Sequence, residues 1–210
     1  MLESESSKTI QLFTVDSIPY GLTYGQWTVE WWRWFLSIPA PVNPVLDESG
    51  AFASINQPRE NVWFLAGKIG DPNKTFPRRF CRIPPSRAIL FPVINCEANP
   101  LESPELTTER DLIEHVRADE NSIILKKCFI NGKSATAERI RSDPEIFEVE
   151  LNQHNVYGVR GGGKTFAAAD GYWIFLKPLP TGTYFIRFRG SCENGRLNSG
   201  ADYKIEVDAL

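Results

Sequence analysis

The chain has 210 residues, of which 42% are hydrophobic and 23% are charged, and this composition excludes an intrinsically disordered protein. The formal net charge of −3 excludes a broadly basic surface, so we expect no nucleic acid among its partners. The sequence has no run of about 18 apolar residues, so we expect no membrane span.

The N-terminal segment, residues 1–19, is interpreted as an arm that precedes a single domain over residues 20–210. It starts with the polar and acidic stretch from Met1 to Lys8, which has neither the basic nor the apolar region of a signal peptide. We therefore expect a soluble cytoplasmic protein, or an exported one if a leader has been removed. The apolar run from Ile10 to Val15 is a candidate edge strand.

The first strong element is a tryptophan-rich helix over about residues 24–37. Thr23 followed by Gln26 fits a capping box, and Pro39 ends the helix because proline cannot continue the hydrogen-bond ladder. Apolar residues occupy two opposite faces, which predicts a helix that is buried or lies at a subunit interface. The first face contains Trp27, Trp31, Trp34, Phe35 and Ile38, and the second contains Val29, Trp32 and Leu36.

The rest of the chain predicts a mainly β fold. One further helix is expected over about residues 108–119, where Thr107 or Thr108 supplies the cap. Short apolar or alternating segments between turns predict strands, most clearly at Tyr172–Leu176 and Thr183–Arg189. We therefore predict an antiparallel β-sandwich, similar to a jelly roll, with the two helices packed on or beside it.

The segment Gly158–Thr165 matches the phosphate-binding P-loop pattern, in which Lys164 would reach the terminal phosphate. That function needs a helix directly after the loop, but only Phe166–Asp170 precedes Gly171, which is barely one turn. Because a strand pattern follows, we interpret the segment as a glycine loop between two strands.

Six residues are candidates for a ligand site or an interface: Gln26, Glu30, Trp32, Arg33, Arg79 and Arg82. Glu30 and Arg33, at i and i+3 on the polar stripe of the helix, can form an ion pair or the polar wall of a pocket. Arg79 and Arg82 are interleaved with aromatic residues but point to opposite sides of a strand, so they do not form one patch.

The sequence contains no pattern that indicates a catalytic centre, a metal site or a cofactor. The two histidines, His115 and His154, do not stand out as general bases. The cysteines form no C-x-x-C pair, which gives no zinc signal. A domain of this size does not need disulfides, so we interpret four residues as free, partly buried thiols: Cys81, Cys96, Cys128 and Cys192.

Several blocks of sequence stand out together: Tyr20–Trp27, Trp31–Trp34, Ile38–Pro39, Gln57, Val62–Gly67, Arg79–Pro84, Phe91–Asn95, Ala169–Trp173 and Pro178–Gly182. With these blocks the chain resembles, over roughly residues 20–207, a family of uncharacterised microbial proteins. The resemblance implies export in many relatives, and a cysteine near Ala53 or Ser54 that could pair with Cys81. It implies no catalytic residues.

Three functions follow from these observations. The favoured one is a non-enzymatic binding or assembly protein, which uses the tryptophan helix or an exposed sheet face. Its partner would be a small molecule, a glycan, a protein or a second copy of the chain. The alternative is a hydrolase or lyase with a pocket near Glu30 and Arg33, and the least favoured is nucleotide binding at Gly158–Thr165.

Overall fold

The computed structural model describes residues 10–58, 61–70, 75–193, 195 and 197–208. Within these ranges it has two α-helices, α1 (Tyr24–Ser37) and α2 (Glu109–Asn121), and single 3-10 turns at Pro19–Gly21 and Ala40–Val42. The strands are β1 (Val62–Phe64), β2 (Lys68–Ile69), β3 (Arg78–Ile83), β4 (Ala88–Ala98), β5 (Ile123–Ile130), β6 (Lys133–Ala135), β7 (Glu138–Leu151), β8 (Gly163–Leu176), β9 (Gly182–Cys192) and β10 (Asn198–Val207).

The strands form two sheets in a sandwich-like arrangement, which confirms the predicted mainly β fold. The four-stranded sheet has the order β1-β4-β8-β7. The six-stranded sheet has the order β2-β10-β9-β5-β6, and β3 joins it beside β2 by pairing with β10. The sequence predicted antiparallel pairing, but the β1–β4 and β3–β10 pairs are parallel.

Strands β1 and β4 and the second half of β8 are largely buried on both faces of the four-stranded sheet. Alternate residues of a strand point to opposite sides, so Leu90 and Phe175 pack against α1, while Phe91 and Ile174 pack against the six-stranded sheet. The result is three layers, with one hydrophobic cluster on each side of the central sheet. Burial on both faces explains why β1 and β4 read as continuous apolar runs rather than alternating ones.

Helix α1 begins at the capping box that the sequence predicted. Thr23 Oγ1 accepts a hydrogen bond from the backbone N–H of Gln26 at 3.1 Å, and Gln26 Oε1 accepts one from the N–H of Thr23 at 2.9 Å. The prediction that the helix is buried is confirmed, because other parts of the same chain cover both of its apolar faces. Its four tryptophans are all buried: Trp27, Trp31, Trp32 and Trp34.

Helix α2 packs on the other face of the four-stranded sheet. Leu112 and Val116 contact Ala98 and Ala168 in a third hydrophobic cluster. Ala168 lies an even number of residues from Ile174 along β8, so α2 covers the same face as the six-stranded sheet. Neither described helix is long and apolar enough to cross a membrane.

The described part of the N-terminal segment runs beside the end of β8. The backbone N–H of Phe13 donates to the carbonyl oxygen of Phe175, and the N–H of Lys177 donates to that of Gln11, each at 2.9 Å. The candidate strand at Ile10–Val15 is therefore reduced to one antiparallel bridge, Leu12 with Leu176. Residues 1–9 of the predicted arm lie outside the described residues.

Candidate functional site

The outer face of the six-stranded sheet carries an open groove. Inward-pointing residues of β9 and β10, such as Ile186 and Tyr203, are buried between the sheets. Their neighbours Phe185 and Lys204 point outward and are exposed, as strand alternation requires. We call this groove of about 710 Å³ the aromatic groove; its outward-pointing side chains are Arg78, Phe80, Phe129, Phe185, Arg187, Asp202 and Lys204.

Strand register places one row of groove residues across three strands. Lys204 of β10 lies between Phe80 of β3 and Phe185 of β9. The Lys204 ammonium nitrogen is 5.4 Å from the centre of the Phe80 ring, a cation–π contact, and 3.0 Å from Glu206 Oε1. Phe80 is 41% exposed and Phe185 is 56% exposed. Two large apolar rings are therefore open to solvent on either side of one positive charge.

A second row lies next to the first. Asp202 of β10 lies between Arg78 of β3 and Arg187 of β9, and Phe129 of β5 continues the row. Arg187 Nε donates to Asp202 Oδ2 at 3.2 Å. The two rows together offer apolar rings and cationic groups on a rigid sheet, which suits the binding of an acidic, partly apolar surface.

Arg79, a residue singled out from the sequence, has a structural role beneath this face. It is 2% exposed although it contributes to the groove lining. Its guanidinium donates to the backbone carbonyl oxygens of Asp47 at 2.8 Å and Ala66 at 2.7 Å, and to the Tyr203 hydroxyl at 3.0 Å. These bonds satisfy a buried charge and fasten the loop before β1 to the six-stranded sheet.

Arg82 lies on the opposite side of β3 from Arg79, which confirms the prediction that the two residues do not share a patch. Its side chain is 60% exposed and its Nε is 3.4 Å from Glu206 Oε2. It does not line the aromatic groove. The exposed pair contributes little to stability, since salt screens it and both side chains lose entropy.

Glu30 and Arg33 form the predicted ion pair, with 2.7 Å between Arg33 Nη1 and Glu30 Oε1. Both side chains are substantially exposed, and Arg33 Nε also donates to the carbonyl oxygen of Glu148 at 3.1 Å. Gln26 serves in the helix cap. The structure does not bring these residues to Arg79 or Arg82, because α1 and the six-stranded sheet lie on opposite faces of the central sheet.

Trp32 is only 4% exposed, so it is not available as a surface anchor. Its ring meets the Trp31 ring edge-on at 5.0 Å between centres. Its indole N–H has no hydrogen-bond partner among the described residues. The side chain forms part of the wall of a second, smaller cavity.

The remaining sequence candidates do not form a reactive centre. Lys164 and Thr165 lie inside β8, so no helix follows the glycine loop and no phosphate cradle is formed. Among the described residues, no group of three or more His, Cys, Asp or Glu side chains could hold a metal ion. None of the four cysteines forms a disulfide. The family resemblance implies a cysteine near Ala53 or Ser54, and Ala53 belongs to the same buried cluster as Cys81.

Sequence reasoning missed the exposed phenylalanines of the groove. Along β9 the alternation assigns Tyr184, Ile186 and Phe188 to the inner face, so the outward position of Phe185 could have been predicted from the sequence. The position of Phe185 beside Phe80 and Phe129 could not be predicted from the sequence, because it depends on the order in which β3, β10, β9 and β5 pair.

The sequence matches no protein-family model and no curated protein. Its resemblance to the microbial family therefore stays a prediction. One solved structure, that of PbICP-C in complex with falcipain-2, is similar at 11% identity with a TM-score of 0.32, over 71% of this chain and 100% of that chain. A similarity this low carries no argument about function.

Proposed function

We propose that the protein is a non-enzymatic binding protein that holds an acidic segment of a polypeptide partner in the aromatic groove. The observation that carries the proposal is the exposure of Phe80, Phe129 and Phe185 on one open sheet face, beside the cationic groups of Arg187 and Lys204. Exposed apolar groups clustered in this way are typical of interaction sites, because burying them against a partner removes them from water.

Charge supports an acidic partner. The outward-pointing side chains of the groove include three cations, Arg78, Arg187 and Lys204, and one carboxylate, Asp202, while the whole chain has a net charge of −3. A negatively charged segment would therefore be drawn to this face rather than to the rest of the surface.

The pairing of these charges favours a polypeptide over a nucleic acid. Arg187 is paired with Asp202, and Lys204 is paired with Glu206. A phosphate backbone would meet these carboxylates as well as the cations, and it needs many free cations along its path. Aromatic and arginine side chains surrounded by mixed charge are characteristic of protein interfaces.

No observation on the described residues favours the alternative of a hydrolase or lyase pocket near Glu30 and Arg33. Glu30 and Arg33 satisfy each other on the surface, and they line neither the aromatic groove nor the smaller cavity beside Trp32. The groove itself has one carboxylate, Asp202, which is engaged by two arginines. It offers no second carboxylate or nucleophile for an acid–base reaction.

A random peptide library displayed on phage, selected against the purified chain, tests the proposal. We expect enriched peptides to combine Asp or Glu with an aromatic or large aliphatic residue. The double variant Phe129→Ala/Phe185→Ala should lose their binding, because exposed ring area supplies the apolar contact. Phe166→Ala is the matched control: Phe166 is 54% exposed, against 56% for Phe185, but lies on β8 outside the groove.

The proposal fails if no acidic peptides are enriched, or if the double variant binds them as well as the control does. Native mass spectrometry of the wild-type chain addresses the second-copy alternative. A dimer that the double variant abolishes would make another copy of the chain the occupant of the groove.

A further inference from the structure

The second cavity, which we call the end cavity, has a volume of about 220 Å³ and lies where α1, β4 and α2 meet the start of β10. Its aromatic wall consists of Trp31, Trp32, Phe35 and Tyr157. The three residues from α1 are each less than 5% exposed, so this wall is deep in the fold. The volume is below the 300–1,000 Å³ typical of sites for drug-sized ligands, which limits any occupant to a small molecule.

The other notable feature of the end cavity is its charge. Glu97, Glu102 and Asp119 line it, and His115 is the single lining residue that can become positive; no Lys or Arg is among the described residues that line it. Glu102, His115 and Asp119 are substantially exposed and form the mouth, where His115 Nε2 is 3.6 Å from Asp119 Oδ2.

Glu97 is the buried acid of the cavity, with 8% exposure. It accepts hydrogen bonds from Asn99 Nδ2 at 3.0 Å and from the Tyr157 hydroxyl at 3.1 Å, but it has no cationic partner among the described residues. Burial raises the pKa of this carboxyl to about 8, with the nearby charge of Glu102 acting in the same direction. A buried carboxyl held neutral in this way is a ready partner for a positive charge, which would favour its ionised form.

Two polar groups in the walls are also unsatisfied. The indole N–H of Trp32 and the side-chain amide nitrogen of Asn95 have no hydrogen-bond partner among the described residues. Buried donors without partners are uncommon in folded proteins and need an explanation. Both atoms are inaccessible from the cavity in this structure, so they do not identify its occupant.

The cavity is not suited to thiol chemistry, although Cys96 lines it. Cys96 Sγ donates to Asp119 Oδ2 at 3.3 Å. Burial and the neighbouring carboxylates raise the pKa of this thiol well above its usual value, so it stays protonated. A nucleophilic cysteine needs an environment that lowers the pKa of its thiol. We therefore interpret the cavity as a binding site.

We propose that the end cavity is a binding site for a small organic amine, whose cation pairs with Glu97 and whose apolar body lies against Trp31, Trp32 and Phe35. Aromatic faces and carboxylates both stabilise cations, and the combination excludes small anions. The inference concerns a different site from the aromatic groove and does not depend on the proposed function.

Isothermal titration calorimetry with three matched probes tests the proposal. Benzylamine, benzyl alcohol and benzoate have similar shape and differ in charge. We expect saturable binding of benzylamine, about tenfold or more tighter than that of either other probe. Titrations near pH 7 in two buffers of different ionisation enthalpy should show proton release on binding, because the amine favours ionised Glu97.

Glu97→Gln keeps the shape of the side chain and removes the charge, and its amide oxygen can still accept one of the two hydrogen bonds. We expect it to weaken benzylamine binding by about tenfold or more and to reduce the proton release. Burial raises the pKa of Glu102 to about 7, so this second lining carboxyl can still release a proton. Glu102→Gln, at the exposed mouth, is a second variant that does not disturb the buried network, and it should weaken binding less. Glu105→Gln is the control, because Glu105 is exposed and close in sequence but does not line the cavity.

Several results would overturn the proposal. One is equal affinity for benzylamine and benzyl alcohol, and another is wild-type amine affinity in both Glu97→Gln and Glu102→Gln. A complete lack of benzylamine binding by the folded wild-type chain would also overturn it.

Discussion

The indole N–H of Trp31 donates a hydrogen bond of 2.9 Å to the backbone carbonyl oxygen of Leu65, and so joins α1 to the residue that follows β1. The Trp31 ring also stacks on Phe35 at 5.2 Å and meets Trp173 of β8 edge-on at 5.4 Å. One side chain therefore satisfies a carbonyl group and packs across the interface between the helix layer and the central sheet.

Trp31→Ala should lower the free energy of unfolding by about 3–5 kcal/mol, because it leaves a cavity and an unsatisfied carbonyl group. Urea unfolding followed by circular dichroism measures the change. Glu30→Ala, the neighbouring exposed position, should change the same quantity by less than about 1 kcal/mol. A loss below about 1 kcal/mol for Trp31→Ala would mean that this helix face is not core.

Arg139→Met should be strongly destabilising. Arg139 Nη2 lies 2.7 Å from Asp170 Oδ2, and the Asp170 carboxylate is fully buried. Removal of Arg139 leaves that charge with Arg141 at 3.5 Å as its remaining ion-pair partner among the described residues. We expect a loss of about 3–5 kcal/mol in the free energy of unfolding.

The matched control for this pair is Arg187→Met, which removes an exposed arginine from Asp202. It should cost less than about 1 kcal/mol. Equal losses for the two variants would show that the Asp170 carboxylate is not buried as described.

The stability of the chain should depend on pH through Glu97. Its pKa is about 8 in the folded chain against 4.5 for the ordinary group. The folded state therefore holds the proton more tightly, and this contribution to stability is fully present below about pH 4.5 and is lost as the pH rises toward 8. The loss is at most about 1.4 kcal/mol per pH unit in that window.

Urea unfolding of the wild type and of Glu97→Gln between pH 5 and 9 measures this effect. The wild type should lose stability relative to the variant as the pH rises, and the difference should level off above about pH 8. Burial also raises the pKa of Glu120, to about 9. Because Glu120 is present in both proteins, it does not affect the difference in stability between them. Parallel pH profiles would contradict the prediction.

The thiols should be present but unreactive in the folded chain. Burial raises the pKa of Cys81 and of Cys128 to about 12, and the thiolate is the form that reacts. Titration with a chromogenic disulfide reagent should detect four thiols after the unreduced chain is unfolded in guanidinium. The same reagent should react far more slowly with the folded chain. Fewer than four thiols after unfolding would indicate a disulfide.

Local signals predicted much of the fold. The capping box at Thr23 and Gln26 predicts the start of α1, and alternation at Tyr184, Ile186 and Phe188 predicts which face of β9 is buried. Both predictions depend on side chains within a few residues of each other, so they can be made from the local sequence.

The arrangement of the sheets and the candidate sites depend on distant residues. Parallel pairing of β3 with β10 joins residues 78–83 to residues 202–207, and no local pattern reports it. The end cavity likewise combines Trp32, Glu97 and His115 from three elements. Glu97 carries no motif, and its chemistry comes from burial, which the tertiary structure decides.

The three-layer arrangement also has a consequence for how the chain is made. Helix α1 lies against β7 and β8, strands that a ribosome synthesises more than 100 residues later. Until those strands exist, a helix with four tryptophans has only part of its covering surface, which the region around Phe64 and Leu65 supplies. Such distant contacts are slow to form and expose apolar surface in the meantime, so the nascent N-terminal half should be prone to aggregate until β8 is complete.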